Sequence, residues 1–171
     1  MDKTYADTVR LLLAVAPDVF ANDIFAMKGG TAINLFVRDM PRLSVDIDVV
    51  YLPWQTPRDE ALQAINQELA AIATRVAPLG VQTRLVRAKD LGDTKLIVEN
   101  DASQVKIEVN VVFRGSVLPV ERRPLSAKTS DLFGVEFELP VLAPDELYAS
   151  KLVAALDRQH PRDLFDVWQL Y

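Results

Sequence analysis

"MKGGTAINLFVRDMPRLSVDIDVVYL", residues 27–52, holds two adjacent glycines at one end and two aspartates, one residue apart, near the other. Asp46 and Asp48 stand among Val45, Ile47, Val49 and Val50, and the run Val45 to Leu52 reads as a strand ended by Pro53. Residues i and i+2 of a strand point to the same face, so the two carboxylates project together. Held there they repel, and one pKa rises unless a cation compensates. Apolar neighbours place such a strand inside, where the repulsion is least screened. A divalent cation is the natural compensator, because magnesium prefers oxygen ligands and takes one or two carboxylates plus substrate phosphates. The alternative is an edge strand with two solvated aspartates.

Working back from the aspartates, residues 30–38 predict a short helix, apolar nearly all round at Ala32, Ile33, Leu35, Phe36 and Val37 and therefore buried. Gly29 and Gly30 precede it. The first N–H groups of a helix lack partners and attract phosphate, and glycine lets a backbone approach an anion closely. Thr31 can add a hydroxyl. Paired glycines alone usually mean a turn; glycines at a helix start followed by an Asp-x-Asp strand are a more specific combination.

A third acid lies downstream. In "QVKIEVNVVF", Val105, Ile107, Val109 and Val111 alternate with Lys106, Glu108 and Asn110, which puts Glu108 on the polar face of a strand able to pair beside the first. Alone, Glu108 reads as a surface residue. With Asp46 and Asp48 it completes three carboxylates, enough for two metal ions that clamp the attacking and leaving oxygens of phosphoryl transfer.

The remaining pattern is a helix over Thr4 to Ala16, a helix from Thr56 closed by Pro78-Leu79-Gly80, and strands over Val81 to Val86, Thr94 to Glu99, Gln104 to Phe113 and Val135 to Leu142. Two helices close the chain, Pro144 to Arg158 and Pro161 to Tyr171. Central strands with helices on both flanks predict an α/β (α+β) domain around a mixed β-sheet. One domain over residues 1–171 is the simplest division, its last helices (144–171) forming the start of a truncated C-terminal helical part.

Half of the 171 residues are apolar, a quarter are charged, and cysteine is absent, which excludes disulfides and zinc–thiolate sites. No apolar run approaches a membrane-spanning length, so no membrane partner is expected and a cytoplasmic location is the default. The net charge of −5 argues against a protein that coats nucleic acid without specificity. Arg114, Arg122, Arg123 and Lys128 nonetheless gather in "FRGSVLPVERRPLSAK", read first as a solvated loop and second as a substrate platform.

The block "KGGTAINLF…RLSVDIDVV" resembles the nucleotidyltransferase fold and, within it, the AbiEii/AbiGii toxins of bacterial toxin–antitoxin and abortive-infection (phage-defence) systems. The tail "DELYASKLVAALDRQHPRDLFDVWQL" resembles that group's second signature: a helix lysine, an arginine a few residues on, then Arg-Asp-x-x-Asp. The resemblance runs from about Met27 to Leu170. It implies a Mg2+-dependent transfer of NMP from an NTP to an acceptor hydroxyl, with RNA, such as a tRNA 3′ end, as the acceptor and a cognate antitoxin as partner. Asp46, Asp48 and Glu108 would hold metal. Gly29, Gly30 and Thr31 would contact the nucleotide phosphates, Lys151 the triphosphate, and Asp163 or Asp166 would complete the pocket. Ser44, two before Asp46, would share its strand face, at a position where some relatives carry a hydroxyl subject to inhibitory phosphorylation.

Read from the residues alone, that tail stays open. Lys151 can snorkel out of an apolar stretch, Arg162 and Asp166 can form an i,i+4 pair, and Asp163 can merely favour a helix dipole. His160 is expected to precede or cap the last helix, and Trp54 and Trp168 to pack. Two other functions compete: transfer to a small molecule or protein side chain, and a nucleotide-binding module without turnover.

Overall fold

The computed structural model describes residues 3–88 and 92–170. Its strands are β1 (Phe25–Lys28), β2 (Ile47–Tyr51), β3 (Gln82–Ala88), β4 (Gly92–Glu99), β5 (Gln104–Asn110), β6 (Glu121–Pro124) and β7 (Glu138–Val141). They join in one mixed sheet of order β3-β4-β5-β2-β1-β7-β6. β2 runs antiparallel to β1 and parallel to β5, and β1 runs parallel to β7. The helices are α1 (Lys3–Val19), α2 (Gly29–Ala32), α3 (Arg58–Val76), α4 (Ala127–Phe133), α5 (Pro144–Arg158) and α6 (Pro161–Trp168). This is the mixed α/β architecture expected from the pattern. No helix among the described residues is long and apolar enough to cross a membrane.

The sheet has one apolar face, and period-two alternation is the reason. Val105, Ile107 and Val109 of β5 are buried while Lys106, Glu108 and Asn110 between them are half-buried. Ile47 and Val49 of β2 and Leu96 and Val98 of β4 continue the apolar side. α1 lies against β5 and α3 against β4. Val9, Leu12 and Ala16 of α1 and Ile65, Leu69 and Ile72 of α3 are wholly removed from water in the same core. Each fully buried Leu or Ile contributes roughly 1.5–3 kcal/mol, so this layer is the foundation on which the opposite, polar side of β2 and β5 is carried.

Several boundaries differ from the sequence expectation, for identifiable reasons. β2 begins at Ile47, not Val45, because the Asp46 carbonyl accepts the Thr31 hydroxyl at 2.5 Å and is lost to the ladder. β5 ends at Asn110, not Phe113: the Asn110 side-chain oxygen accepts from the N–H groups of Val112 and Phe113, both at 3.0 Å, and turns the chain. The helix expected over 30–38 is α2 followed by a π-helical turn, Ile33–Val37, in which Arg38 N–H donates to Ile33. The last strand is shortened to Glu138–Val141. The closing helix ends at Trp168, and Tyr171 lies outside the described residues.

β1, β6 and α4 are additions. β6 falls within the stretch read as a solvated basic loop; its arginines have partners within the chain, and Arg122 and Lys128 remain exposed. Arg123 pairs with Glu121 at 2.5 Å, Arg122 with Glu138 at 3.9 Å, and Arg114 donates to the Thr56 carbonyl at 2.7 Å.

Candidate active site

Because β2 lies between β1 and β5, Asp48 is the direct neighbour of Lys28 on one side and of Glu108 on the other. Glu108 in turn is opposite Lys95 on β4. Direct cross-strand neighbours share a face, so Lys28, Asp48, Glu108 and Lys95 form one line across four strands, on the side away from α1 and α3. The ion pairs follow that line. Lys95 Nζ is 3.0 Å from Glu108 Oε1, and Lys106 Nζ lies 3.3 Å from Glu108 Oε2 and 3.7 Å from Asp46 Oδ2. Asp46, just before β2, is thus tied to Glu108 through a lysine.

Burial is the main cause that pushes the Asp48 carboxyl up, to about 6, with Asp46 and Glu108 adding to it and Lys151 and Lys28 offsetting part. Partial burial also works to raise Glu108, but its bonds to Lys95 and Lys106 outweigh this and hold it below the usual range. Burial lowers Lys28, and neighbouring Lys151 lowers it further, against the pull of Asp48 and Glu146. One central carboxyl that resists ionisation, beside a Glu108 held ionised by two lysines, is the electrostatic signature expected when like charges are forced together.

The glycine turn closes over this line. Gly29 has φ +77°, and a Cβ there would strike the Asp48 carboxylate. A Cβ on Gly30 would meet the Arg42 guanidinium and, at 2.9 Å, the Ser44 hydroxyl. Both glycines are therefore set by close approach. Thr31 is fully buried; its hydroxyl donates to the Asp46 carbonyl and lies 3.0 Å from Ser44 Oγ. It ties the turn to the aspartate segment. Ser44 sits on that segment ahead of β2 rather than on the strand itself.

A second charged group lies behind the turn. Asp163 and Asp166 of α6 are 4% and 1% exposed. Lys151 of α5 reaches both, 2.9 Å to Asp163 Oδ1 and 3.1 Å to Asp166 Oδ2. Arg158 adds a 2.8 Å bond to Asp163, and Arg42 grips Asp166 with two nitrogens. Buried carboxylates demand such partners. The open alternatives are thereby decided: Lys151 is ion-paired, its side chain 12% exposed, rather than snorkelled out, and the partners of Asp166 are Arg42 and Lys151 rather than Arg162. Arg38 strengthens the seam through Tyr148 Oη (2.9 Å) and the Gln169 carbonyl (2.7 Å). His160 caps α6, its Nδ1 accepting from Arg162 N–H at 3.2 Å. Trp54 and Trp168 are largely exposed, contrary to the packing expected of them, although Trp168 still meets the Phe165 ring.

Among the described residues, no three carboxylate or histidine side chains stand close enough to cage a metal ion by themselves. The donors nevertheless suit a hard divalent cation. They are all carboxylate oxygens, the donor type such a cation prefers, and lysine ammonium groups balance their charge while no metal is present. Sequence reasoning gives no role to Lys28, Arg42 or Lys95, and places Lys106 on the polar face beside Glu108 without assigning it one. Lys95 and Lys106 could have been found, since each alternates with buried residues in the same phase as Glu108. Arg42 carries no local signal, because its partner is remote.

A family model described as nucleotidyl transferase AbiEii toxin, type IV TA system, matches residues 10–171. Among solved structures, the fold matches MenT4, a nucleotidyltransferase toxin from Mycobacterium tuberculosis H37Rv, with a TM-score of 0.64 at 22% identity. The match covers 96% of this chain and 59% of that one, so the chain spans about three fifths of that structure's length. Comparison with curated proteins found no match.

Proposed function

The chain belongs to the AbiEii nucleotidyltransferase toxin family, and from that premise we propose that it transfers a nucleoside monophosphate from an NTP to an acceptor hydroxyl, as the toxin of a type IV toxin–antitoxin pair. The observation that carries this reading is the adjacency of Asp48 and Glu108 on paired parallel strands, directly under the Gly29 turn. In the reaction a bond forms between the acceptor oxygen and the α-phosphorus. The bond from that phosphorus to the bridging oxygen breaks, and pyrophosphate leaves.

Asp46, Asp48 and Glu108 would hold Mg2+, which when bound supplies positive charge to phosphoryl oxygens and eases loss of the hydroxyl proton. The chain's own part is placement. Gly29 and Gly30 let the backbone come close to the phosphates, with Ser44 and Thr31 bracing the turn. Lys151 offers its ammonium to the β and γ phosphates, and Asp163 and Asp166 hold that lysine in position. Preorganised charge of this kind is the largest source of acceleration in such sites.

The acceptor in this reading is RNA, with a 3′ hydroxyl as nucleophile. Purified protein, each labelled NTP in turn, Mg2+ and total RNA would test it against an Asp48→Ala control. Label entering RNA only with the wild-type protein supports the proposal. The net charge of −5 favours a second reading, transfer to a small molecule or protein, and label found only there would replace RNA as the acceptor.

A further inference from the structure

The carboxylates assigned to the metal already have a cation among them. Lys106 projects from β5 two residues before Glu108, so the same alternation that points Glu108 to the polar face points Lys106 there too. Its ammonium lies between two acids of different strands, 3.7 Å from Asp46 Oδ2 and 3.3 Å from Glu108 Oε2. Lys95 closes on the other oxygen of Glu108 at 3.0 Å, and Lys28 stands beside Asp48. Three carboxylates thus meet three lysines. Among the described residues only Lys106 bridges two of the acids, and it does so from a position about one-third exposed.

We propose that Lys106 is a built-in counter-cation that competes with a divalent metal for Asp46 and Glu108. Metal loading then requires the ammonium to be displaced, and an arriving polyphosphate offers it a new partner. The site holds free metal weakly and metal with nucleotide more tightly, since whatever draws Lys106 away removes a repulsive charge from the metal's place. Thermodynamic reciprocity makes the coupling run both ways. This inference rests on the metal-holding role proposed above for the three acids.

The test uses Mn2+ alone, without nucleotide, with binding read directly by the loss of the free-ion electron paramagnetic resonance signal. Lys106→Met keeps the aliphatic stem and removes the charge. Its Mn2+ affinity is expected to rise by about two- to fivefold over wild type, the scale set by part-exposed ion pairs such as those Lys106 makes with Asp46 and Glu108. Lys106→Gln should behave alike, Lys106→Arg should stay at the wild-type value, and Lys128→Met, an exposed lysine on α4, should change nothing. Far-ultraviolet circular dichroism checks that each variant is folded. Unchanged or weaker binding in both Lys106→Met and Lys106→Gln, with Asp48→Asn abolishing binding throughout, overturns the competition and leaves the metal site standing. Absence of Mn2+ binding in wild type and variants alike overturns both.

Discussion

Arg42 and Asp166, 124 residues apart, meet through a two-pronged contact, Nε to Oδ1 at 2.6 Å and Nη2 to Oδ2 at 2.5 Å. The arginine belongs to the segment between α2 and β2, the aspartate to the last helix. Their pair fastens the C-terminal helices to the glycine turn, and with Lys151 it leaves the buried Asp166 carboxylate fully answered. Removing Arg42 leaves the buried Asp166 carboxylate to Lys151, which also serves Asp163. Arg42→Ala should therefore lower the unfolding free energy by about 1.5–3 kcal/mol, the loss of charge-assisted hydrogen bonds to a carboxylate that keeps one cation. Arg42→Lys should recover only part, because a single ammonium cannot reproduce the fork. Urea denaturation measures both, and an unmoved midpoint for Arg42→Ala would refute the fastening role.

Asp48 yields a prediction about pH. Its carboxyl has a folded-state pKa of about 6 against an ordinary 3.8. Between these values the folded chain holds more proton than the unfolded one, so ionising Asp48 lowers stability. That penalty is absent below the unfolded value, grows through the window, and is complete above about 6. Asp48→Asn removes it. The variant should gain on wild type as the pH is raised from about 4 to about 8, with most of the gain accumulated below neutrality. Denaturation across that range checks it; a difference independent of pH would show that Asp48 titrates normally.

The two glycines Gly29 and Gly134 separate backbone strain from steric collision. Both have positive φ, +77° and +66°, but a Cβ at Gly134 meets nothing within 4 Å whereas one at Gly29 runs into the Asp48 carboxylate. Gly134→Ala should cost about 1–2 kcal/mol, the backbone penalty alone. Gly29→Ala should cost clearly more and should also abolish nucleotidyl transfer. Equal losses of stability at the two positions would mean that the turn can lift away from Asp48 without cost.

Glu108 is the acid whose two roles are easiest to separate. Its ion pairs with Lys95 and Lys106 are part-exposed and screened, so Glu108→Gln should change stability by no more than about 1 kcal/mol. If it serves the reaction, transfer should fall by about a hundredfold, as when one charge-stabilising group is lost from an active site. Wild-type turnover in this variant would leave Glu108 only as the partner of two lysines.

Most strand and helix types, though not β1, β6 or α4, and the face that Glu108 occupies were legible along the chain. Alternation along "QVKIEV" assigned Glu108 and Lys106 to one side of β5, and the apolar run after Asp46 identified β2. The diglycine turn before the Asp-x-Asp strand marked the place where a site should be sought. These are local properties: the direction a side chain takes depends on a period of two or of 3.6, and a few neighbouring residues suffice to define it.

Which strand lies beside which, and which charge answers which, was decided only by the tertiary structure. Nothing near Asp48 in the chain announces Lys28 on one flank and Glu108 on the other, and nothing near Asp166 announces Arg42. The tempting local partner, Arg162, lost because Asp166 points into a dry interior where only cations brought by other elements can reach it. Strand order is settled by burying the whole apolar face under α1 and α3, a sum over distant residues that no short stretch contains. The carboxylates and lysines then stand together because that burial put their strands side by side.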